Sequence, residues 1–188
     1  MTFGPTFDSV LTAAQSGAPW ALERIYTDLA SSVAGYLRLQ GAAEAEDLTS
    51  DVFVSVLRTV GGFSGNEDQF RSWVFTIAHH RLQDDRRRHA RRPPFATGAD
   101  EALAELPARL DEGVEDAVQR RISTERVRQL CERLAPDQRD VLLLRMVGGM
   151  SLEQTAEALG KSVGAVKALQ HRSVGALRRL LERQAVSL

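Results

Sequence analysis

Residues 69–88 read QFRSWVFTIAHHRLQDDRRR. Phe70, Trp73, Val74, Ile77, Ala78 and Leu82 recur at intervals of three and four. A helix over this stretch gathers them on one face, and no alternation of period two competes with it. The same stretch is dense in arginine: Arg71, Arg81, Arg86, Arg87 and Arg88. An amphipathic helix this long needs partners to bury its stripe, and the preceding chain supplies them. Trp20 to Leu39 places Leu22, Ile25, Tyr26, Leu29, Val33, Tyr36 and Leu37 at helical spacing and stops at Gly41. Glu44 to Val60 places Leu48, Val52, Phe53, Val56 and Leu57 on a broad apolar stripe and stops at Gly61-Gly62. A loop over Phe63–Asp68 leads to the third helix, expected from about Gln69 to Arg88. Three such helices can share one core.

Beyond it, Arg91-Arg92-Pro93-Pro94 ends the pattern, because a proline pair cannot continue a helix. The following Ala-, Gly-, Pro- and acid-rich stretch reads as a linker. Helical spacing resumes near Val114 with Val118, Ile122, Val127, Leu130 and Leu134. Pro136 suits the first turn of a helix that carries Val141, Leu142 and Leu144 and ends at Gly148-Gly149. Ser151 and Gln154 form a capping-box pattern for a short helix ending at Leu159-Gly160. Ser162 is the expected N-cap of a long last helix with Val163, Val166, Leu169, Ser173, Leu177, Leu180 and Leu181 inward. The expected fold is all-α: two small helical domains, residues 1–92 and 114–188, joined by a flexible acidic linker over 93–113.

With 43% hydrophobic and 26% charged residues the chain reads as an ordinary globular protein. Its longest apolar run, Val141–Leu144, is cut by Arg145 and is far short of the roughly 18 residues that span a bilayer. Met1 to Val10 has neither the basic flank nor the apolar segment of a secretory signal. The lone Cys131 cannot form an internal disulfide. These features fit a cytoplasmic protein with no membrane insertion. The net charge of −1 hides a segregation. Arg71 to Arg92 holds seven arginines against Asp84 and Asp85, and Gly160 onward holds six basic residues against Glu182. Between them, residues 99–117 hold seven acids against Arg109. Local fields, not the total, decide what a polyanion meets.

Ser151 to Arg172 has the form of a helix-turn-helix. Ala156 is small enough for a close helix crossing, Gly160 supplies the turn, and Lys167, Gln170, His171 and Arg172 lie along one side of the second helix. A helix fits a major groove and lysine or arginine adds phosphate affinity. A helical hairpin with a solvated basic face is the bland alternative. The motif says DNA but not which DNA-binding protein. A repressor or response regulator would explain Ser151–Arg172 and leave Phe70–Arg88 without a purpose. No Gly-rich phosphate loop, metalloprotease motif or activated nucleophile is present, and the pairs Glu46-Asp47 and Asp84-Asp85 diverge around their helices. His79 and His80 point to different faces, which does not make a metal site. No enzyme activity, cofactor or metal is expected.

Reading both halves together adds specificity. Ala45-Glu46-Asp47-Leu48-Thr49-Ser50-Asp51-Val52-Phe53 resembles the AEDLTQEVF signature of region 2 of bacterial RNA polymerase sigma factors. Phe70 to Arg81, followed by Asp85-Arg86-Arg87-Arg88, is similar to its FRAWLYTIARNRAxDxxRR segment. Leu134 to Arg145 resembles the opening of region 4, LPxxQRxVLxLR. Gly149-Met150-Ser151 with Ala156, Leu159-Gly160, Ser162, Gly164 and Val166-Lys167 is similar to the continuation. Nothing between them resembles the third domain of housekeeping factors. The chain thus resembles the small extracytoplasmic-function group, with an actinobacterial look.

The resemblance implies several roles. Glu46, Asp47, Thr49, Ser50, Asp51 and Phe53 would dock on the β′ clamp helices of core RNA polymerase, although an acidic helix face is by itself more often merely solvated. Phe63, Ser64, Asn66, Arg71, Trp73, Thr76, His79, His80, Arg81, Arg86 and Arg87 would hold the melted −10 element. Trp73 has the inward phase, so core packing and base capture are both open to it. His80 replaces the asparagine common in the family, which exchanges a fixed donor and acceptor for a tautomer-dependent pair. Ser162, Val163, Gly164, Ala165, Lys167, Ala168, Gln170, His171 and Arg172 would read the −35 duplex. Ala168-Leu169-Gln170 stands where the family often has Ser-Arg-Leu, so one phosphate-binding arginine is absent. The implied partners are core polymerase (the β′ clamp helices and the β flap), promoter DNA and an anti-sigma factor, with the free chain a monomer. A sigma-like adaptor that does not melt DNA is the remaining alternative.

Overall fold

A computed structural model describes residues 3–91 and 125–185. The expected linker, and the expected helical positions Val114, Val118 and Ile122, lie outside the described residues. Every regular element among the described residues is helical. We number them α1 (Phe7–Gln15), α2 (Pro19–Leu39), α3 (Ala45–Thr59), α4 (Glu67–Arg91), α5 (residues 125–132), α6 (Pro136–Met146), α7 (Leu152–Leu159) and α8 (Val163–Ala185).

Helices α2, α3 and α4 pack together around Ile25, Leu29, Val33, Leu37, Val52, Val56, Val74, Phe75 and Ala78, all buried. Phe70 sits at the centre of an aromatic cluster, with Phe3, Phe7, Phe63 and Trp73 at ring-centroid distances of 6.2, 5.7, 5.1 and 5.5 Å. Helix α1 is an addition to the sequence reading, which found no secretory signal in the first ten residues and expected no helix before Trp20. Its Phe7, Val10 and Ala14 close the end of the core, and Glu67 accepts the backbone N–H groups of Phe3 and Gly4 at 2.6 and 3.1 Å.

Helix α4 also begins earlier than expected, at Glu67. Asn66 Oδ1 accepts the Gln69 N–H and Gln69 Oε1 accepts the Asn66 N–H, both at 2.9 Å. That reciprocal cap satisfies donors a helix start would otherwise leave open. The stripes of α2 and α3 are narrower than the spacing suggested: Tyr26 and Leu57 are exposed.

The second unit is smaller. Val141, Ala156, Val166 and Leu169 form its own core. Ser151 makes the expected capping box with Gln154, and Gly160 closes α7 in the left-handed region at φ 61°. Ser162 Oγ caps α8 by accepting the Ala165 N–H at 3.2 Å. Val163 and Leu181, expected inward, are 40% and 52% exposed. The two units also meet: Cys131, Leu143, Leu144, Met150 and Ala158 are buried in the same apolar cluster as the residues of α2–α4.

Candidate nucleic-acid and polymerase interface

Region 151–172 is built as a DNA-reading element should be. The capping box fixes α7, the left-handed Gly160 turns the chain, and Val166 and Leu169 anchor α8 on the small core. Anchoring these two leaves Ser162, Val163, Gly164, Ala165, Lys167, Ala168, His171 and Arg172 exposed, with Gln170 half-buried. Lys161 is held by Asp137 at 2.9 Å. The outward face is therefore polar, basic and low in relief near its N-terminal end, which suits insertion into a major groove.

On α3, Glu46, Asp47, Ser50 and Asp51 share the open side. Thr49 and Phe53 do not: both are 2% exposed. Thr49 Oγ1 donates to the Ala45 carbonyl at 2.7 Å, and Phe53 stacks edge-on against Tyr26 at 4.9 Å. Their phase on the helix is that of Val52 and Val56, so they support the face from beneath. Arg38 pairs with Glu46 and borders that surface.

The α4 candidates divide into three groups. Ser64, Asn66, His80, Arg81 and Arg87 are exposed, and Phe63, Trp73 and Thr76 are half-buried. Phe63 and Trp73 stack at 5.2 Å, so the tryptophan is at once part of the core and at its rim. Arg81 donates to Ser55 Oγ at 3.0 and 2.6 Å and is thereby aimed across α3. Arg87 and Asp84 form an exposed pair at 3.1 Å, in which solvent screens most of the attraction. The remaining three are drawn inward: His79 is buried, and Arg71 and Arg86 are half-buried.

Arg71 donates from Nε to the Gly148 carbonyl at 2.9 Å and from Nη2 to the Val147 carbonyl at 2.8 Å. It lies over the Phe75 ring at 5.2 Å. Arg86 donates from Nη2 to the Gln40 backbone carbonyl at 2.7 Å and to Gln40 Oε1 at 3.0 Å, and its Nη1 lies 3.8 Å from Asp140. Gln40 Nε2 donates to Asp140 Oδ1 at 2.8 Å and lies 3.3 Å from the Tyr36 hydroxyl. Tyr36 is 3.0 Å from His79 Nδ1. Burial, reinforced by Asp140, keeps the Tyr36 hydroxyl far above its ordinary range. Tyr36 therefore keeps its proton and shares a hydrogen bond with His79 Nδ1 inside this buried cluster.

Sequence reasoning missed Gln40, Arg139 and Asp140. One signal was available: Asp140 is in phase with Leu143, Leu144 and Val147, an acid on the apolar side of α6. Its partners Gln40 and Arg86, both in the first unit, were not readable from spacing.

Burial pushes the His79 pKa below its ordinary 6.5, Asp140 opposes this, and His80 and Arg86 lower it further. A lowered folded-state pKa means the unfolded chain binds the proton more readily. His79 then contributes stability that is complete above about pH 6.5 and is lost as the pH falls through its folded-state value. Urea midpoints measured from neutral pH to about pH 5 should fall with acidification, and His79→Gln should flatten that dependence. An unchanged acid limb in the variant would show that other groups carry it. No cluster of His, Cys, Asp or Glu suited to a metal occurs among the described residues.

Two family descriptions match the chain in order: sigma-70 region 2 over residues 23–92 and sigma-70 region 4 over residues 124–177. That pair defines a promoter-recognition subunit of the sigma-70 class. The ECF RNA polymerase sigma factor BldN of Streptomyces coelicolor is 35% identical over 89% of this chain, which spans 63% of that relative's length. The ECF sigma factor SigD of Mycobacterium tuberculosis is 31% identical, over 93% of this chain and 84% of SigD. The solved CnrH, in complex with the cytosolic domain of CnrY, superposes with a TM-score of 0.65 at 24% identity, covering 93% of this chain and 96% of CnrH. The chain belongs to the extracytoplasmic-function sigma factors of bacterial RNA polymerase.

Proposed function

We propose that this chain binds core RNA polymerase, recognises the −35 and −10 elements of its promoters and assists their melting. The observation that carries the reading is the pairing of an open basic face on α8 with an aromatic and arginine-rich α4 in one chain. Residues 1–92 act as region 2, 93–113 as linker and 114–188 as region 4. Glu46, Asp47, Ser50 and Asp51 form the charged rim of the docking surface for the β′ clamp helices, and the β flap takes region 4. Ser64, Asn66, His80, Arg81 and Arg87 are exposed and would meet the unpaired −10 strand, with Phe63, Trp73 and Thr76 half-buried beside them. Stacking and positive charge are what a single strand requires. Lys167, Gln170, His171 and Arg172 read the −35 duplex.

The chain acts as a binding subunit and supplies no catalytic group. It works in the cytoplasm, where its polymerase is; among the described residues no helix is long and apolar enough to cross a membrane. The solved sigma factor RpoE of Bartonella quintana, 18% identical, is in complex with the anti-sigma factor NepR. A partner of that kind would silence this chain by covering its polymerase-binding faces.

Run-off transcription from a randomised promoter library, with core polymerase and the full chain, tests the reading. Initiation confined to a defined sequence class is expected, and only when the chain is present. Equal selection by core polymerase alone would overturn it.

A further inference from the structure

We propose that helix α1 positions the loop that takes an unstacked −10 base, with Gln15 as the positioning residue. The proposal rests on the reading of Phe63–Asn66 as part of the −10 surface. The turn that leads into this loop is short and rich in glycine. Val60–Gly62 form a 3-10 turn, and a Cβ on Gly61 or Gly62 would meet nothing within 4 Å. Packing does not demand these glycines, and they leave the backbone a freedom that must be removed from elsewhere. Gln15, the last residue of α1, removes it. Its Nε2 donates to the Val60 carbonyl at 3.3 Å and to the Phe63 carbonyl at 2.8 Å. Both amide hydrogens are thereby used, and one side chain brackets the turn at its two ends.

The far end of the loop is held from α4. Asn66 and Gln69 cap one another, and a Cβ on Gly65 would come within 2.7 Å of Gln69 Oε1 and 3.1 Å of the Phe63 ring. Phe63 itself is seated on Phe70 and Trp73. Glu67, next to Asn66, receives the N–H groups of Phe3 and Gly4. The N-terminal segment is therefore tied to both ends of the loop, through Gln15 at one and Glu67 at the other. Between these holds lie Ser64 and Gly65, both exposed. A base stacked beside Phe63 meets their backbone at a fixed distance, and hydrogen bonds discriminate between bases only when the geometry is fixed. Gln15 is exposed, so its two hydrogen bonds add little to the stability of the fold while they decide where the loop sits.

The test uses the holoenzyme, with single strands bearing the −10 sequence selected in the run-off library and the same strands with one base exchanged at a time. Gln15→Leu keeps the bulk and removes both N–H groups, and Gln15→Lys restores a donor on a stem of similar reach. In Gln15→Leu, discrimination at one base position should fall by about three- to tenfold, as for the loss of one modest hydrogen bond. The other positions and the urea midpoint should stay near wild type, and Gln15→Lys should recover most of the loss. A loss spread evenly over every position, together with a lowered urea midpoint, overturns the proposal, because that is what a merely structural residue gives. Unchanged discrimination in Gln15→Leu overturns it as well, as does a Gln15→Lys variant no better than Gln15→Leu. Ser64→Tyr separates the two readings, since bulk at that exposed position blocks the loop. If Ser64→Tyr loses the strand while Gln15→Leu discriminates as wild type does, the positioning role alone fails. If Ser64→Tyr binds the strand as wild type does, the loop is not part of the −10 surface and the positioning role falls with it.

Discussion

Phe70→Ala is expected to cost about 3–5 kcal/mol, the range for removing a fully buried aromatic side chain. Domains of this size hold only about 5–15 kcal/mol in all. Phe70 is completely buried and touches four other aromatic rings contributed by the N-terminal turn, α1, the α3–α4 connection and α4 itself. Truncation leaves a cavity walled by rigid rings, which collapse poorly into it. The loss should appear as a lowered urea midpoint followed through Trp73 fluorescence, and Phe70→Leu should restore part of it. Leu57→Ala, at an exposed position of α3, should change stability by no more than about 0.5 kcal/mol. A cost for Phe70→Ala below about 1 kcal/mol would mean that the cluster repacks and that the N-terminal turn is not held by it. The functional consequence follows from position: Phe70 sets the height of the turn that bears Arg71 and Trp73.

The double variant Lys167→Ala, Arg172→Ala is expected to weaken holoenzyme binding to −35 duplex by about ten- to a hundredfold, taking roughly 1 kcal/mol or more per contact. Each lost phosphate contact should also lower the slope of log affinity against log salt by about 0.9. Both side chains are exposed on the outer face of α8, and the residues that hold the helix, Val166, Leu169 and Ser173, are buried on the other. The variant should therefore fold. On a pre-melted template, where the −35 contact matters less, open complexes should form nearly as well as with wild type. Equal losses on both templates would count against α8 as the −35 reader.

Much of this architecture was legible from spacing alone. The stripes of α2, α3 and α4, the glycine stops, the Ser151–Gln154 box and the turn at Gly160 are local codes. Each is satisfied by residues within a few positions, so one dimension suffices to read them. Helix α1 was not legible in this way. Phe7, Val10 and Ala14 make too short a stripe to stand out, and the burial of Phe7 depends on Phe70, far along the chain. The same limit explains Thr49 and Phe53. A signature match places them in a docking segment, but it cannot tell the residues that face the partner from those that brace them.

By itself, then, the sequence determined the class of fold, the order of its two helical units and the helix-turn-helix form of Ser151–Arg172, because these follow from periodicity, capping and motif. Only the tertiary structure decided which arginines stay exposed and which are half-buried against other elements. Arg71 and Arg86 read like Arg81 and Arg87 in one dimension. In three, the first two are bound to Val147, Gly148, Gln40 and Asp140. The reason is physical: a guanidinium is committed by whichever carbonyls and carboxylates the fold brings within about 3 Å. Contacts between positions so far apart in the chain leave no periodic trace.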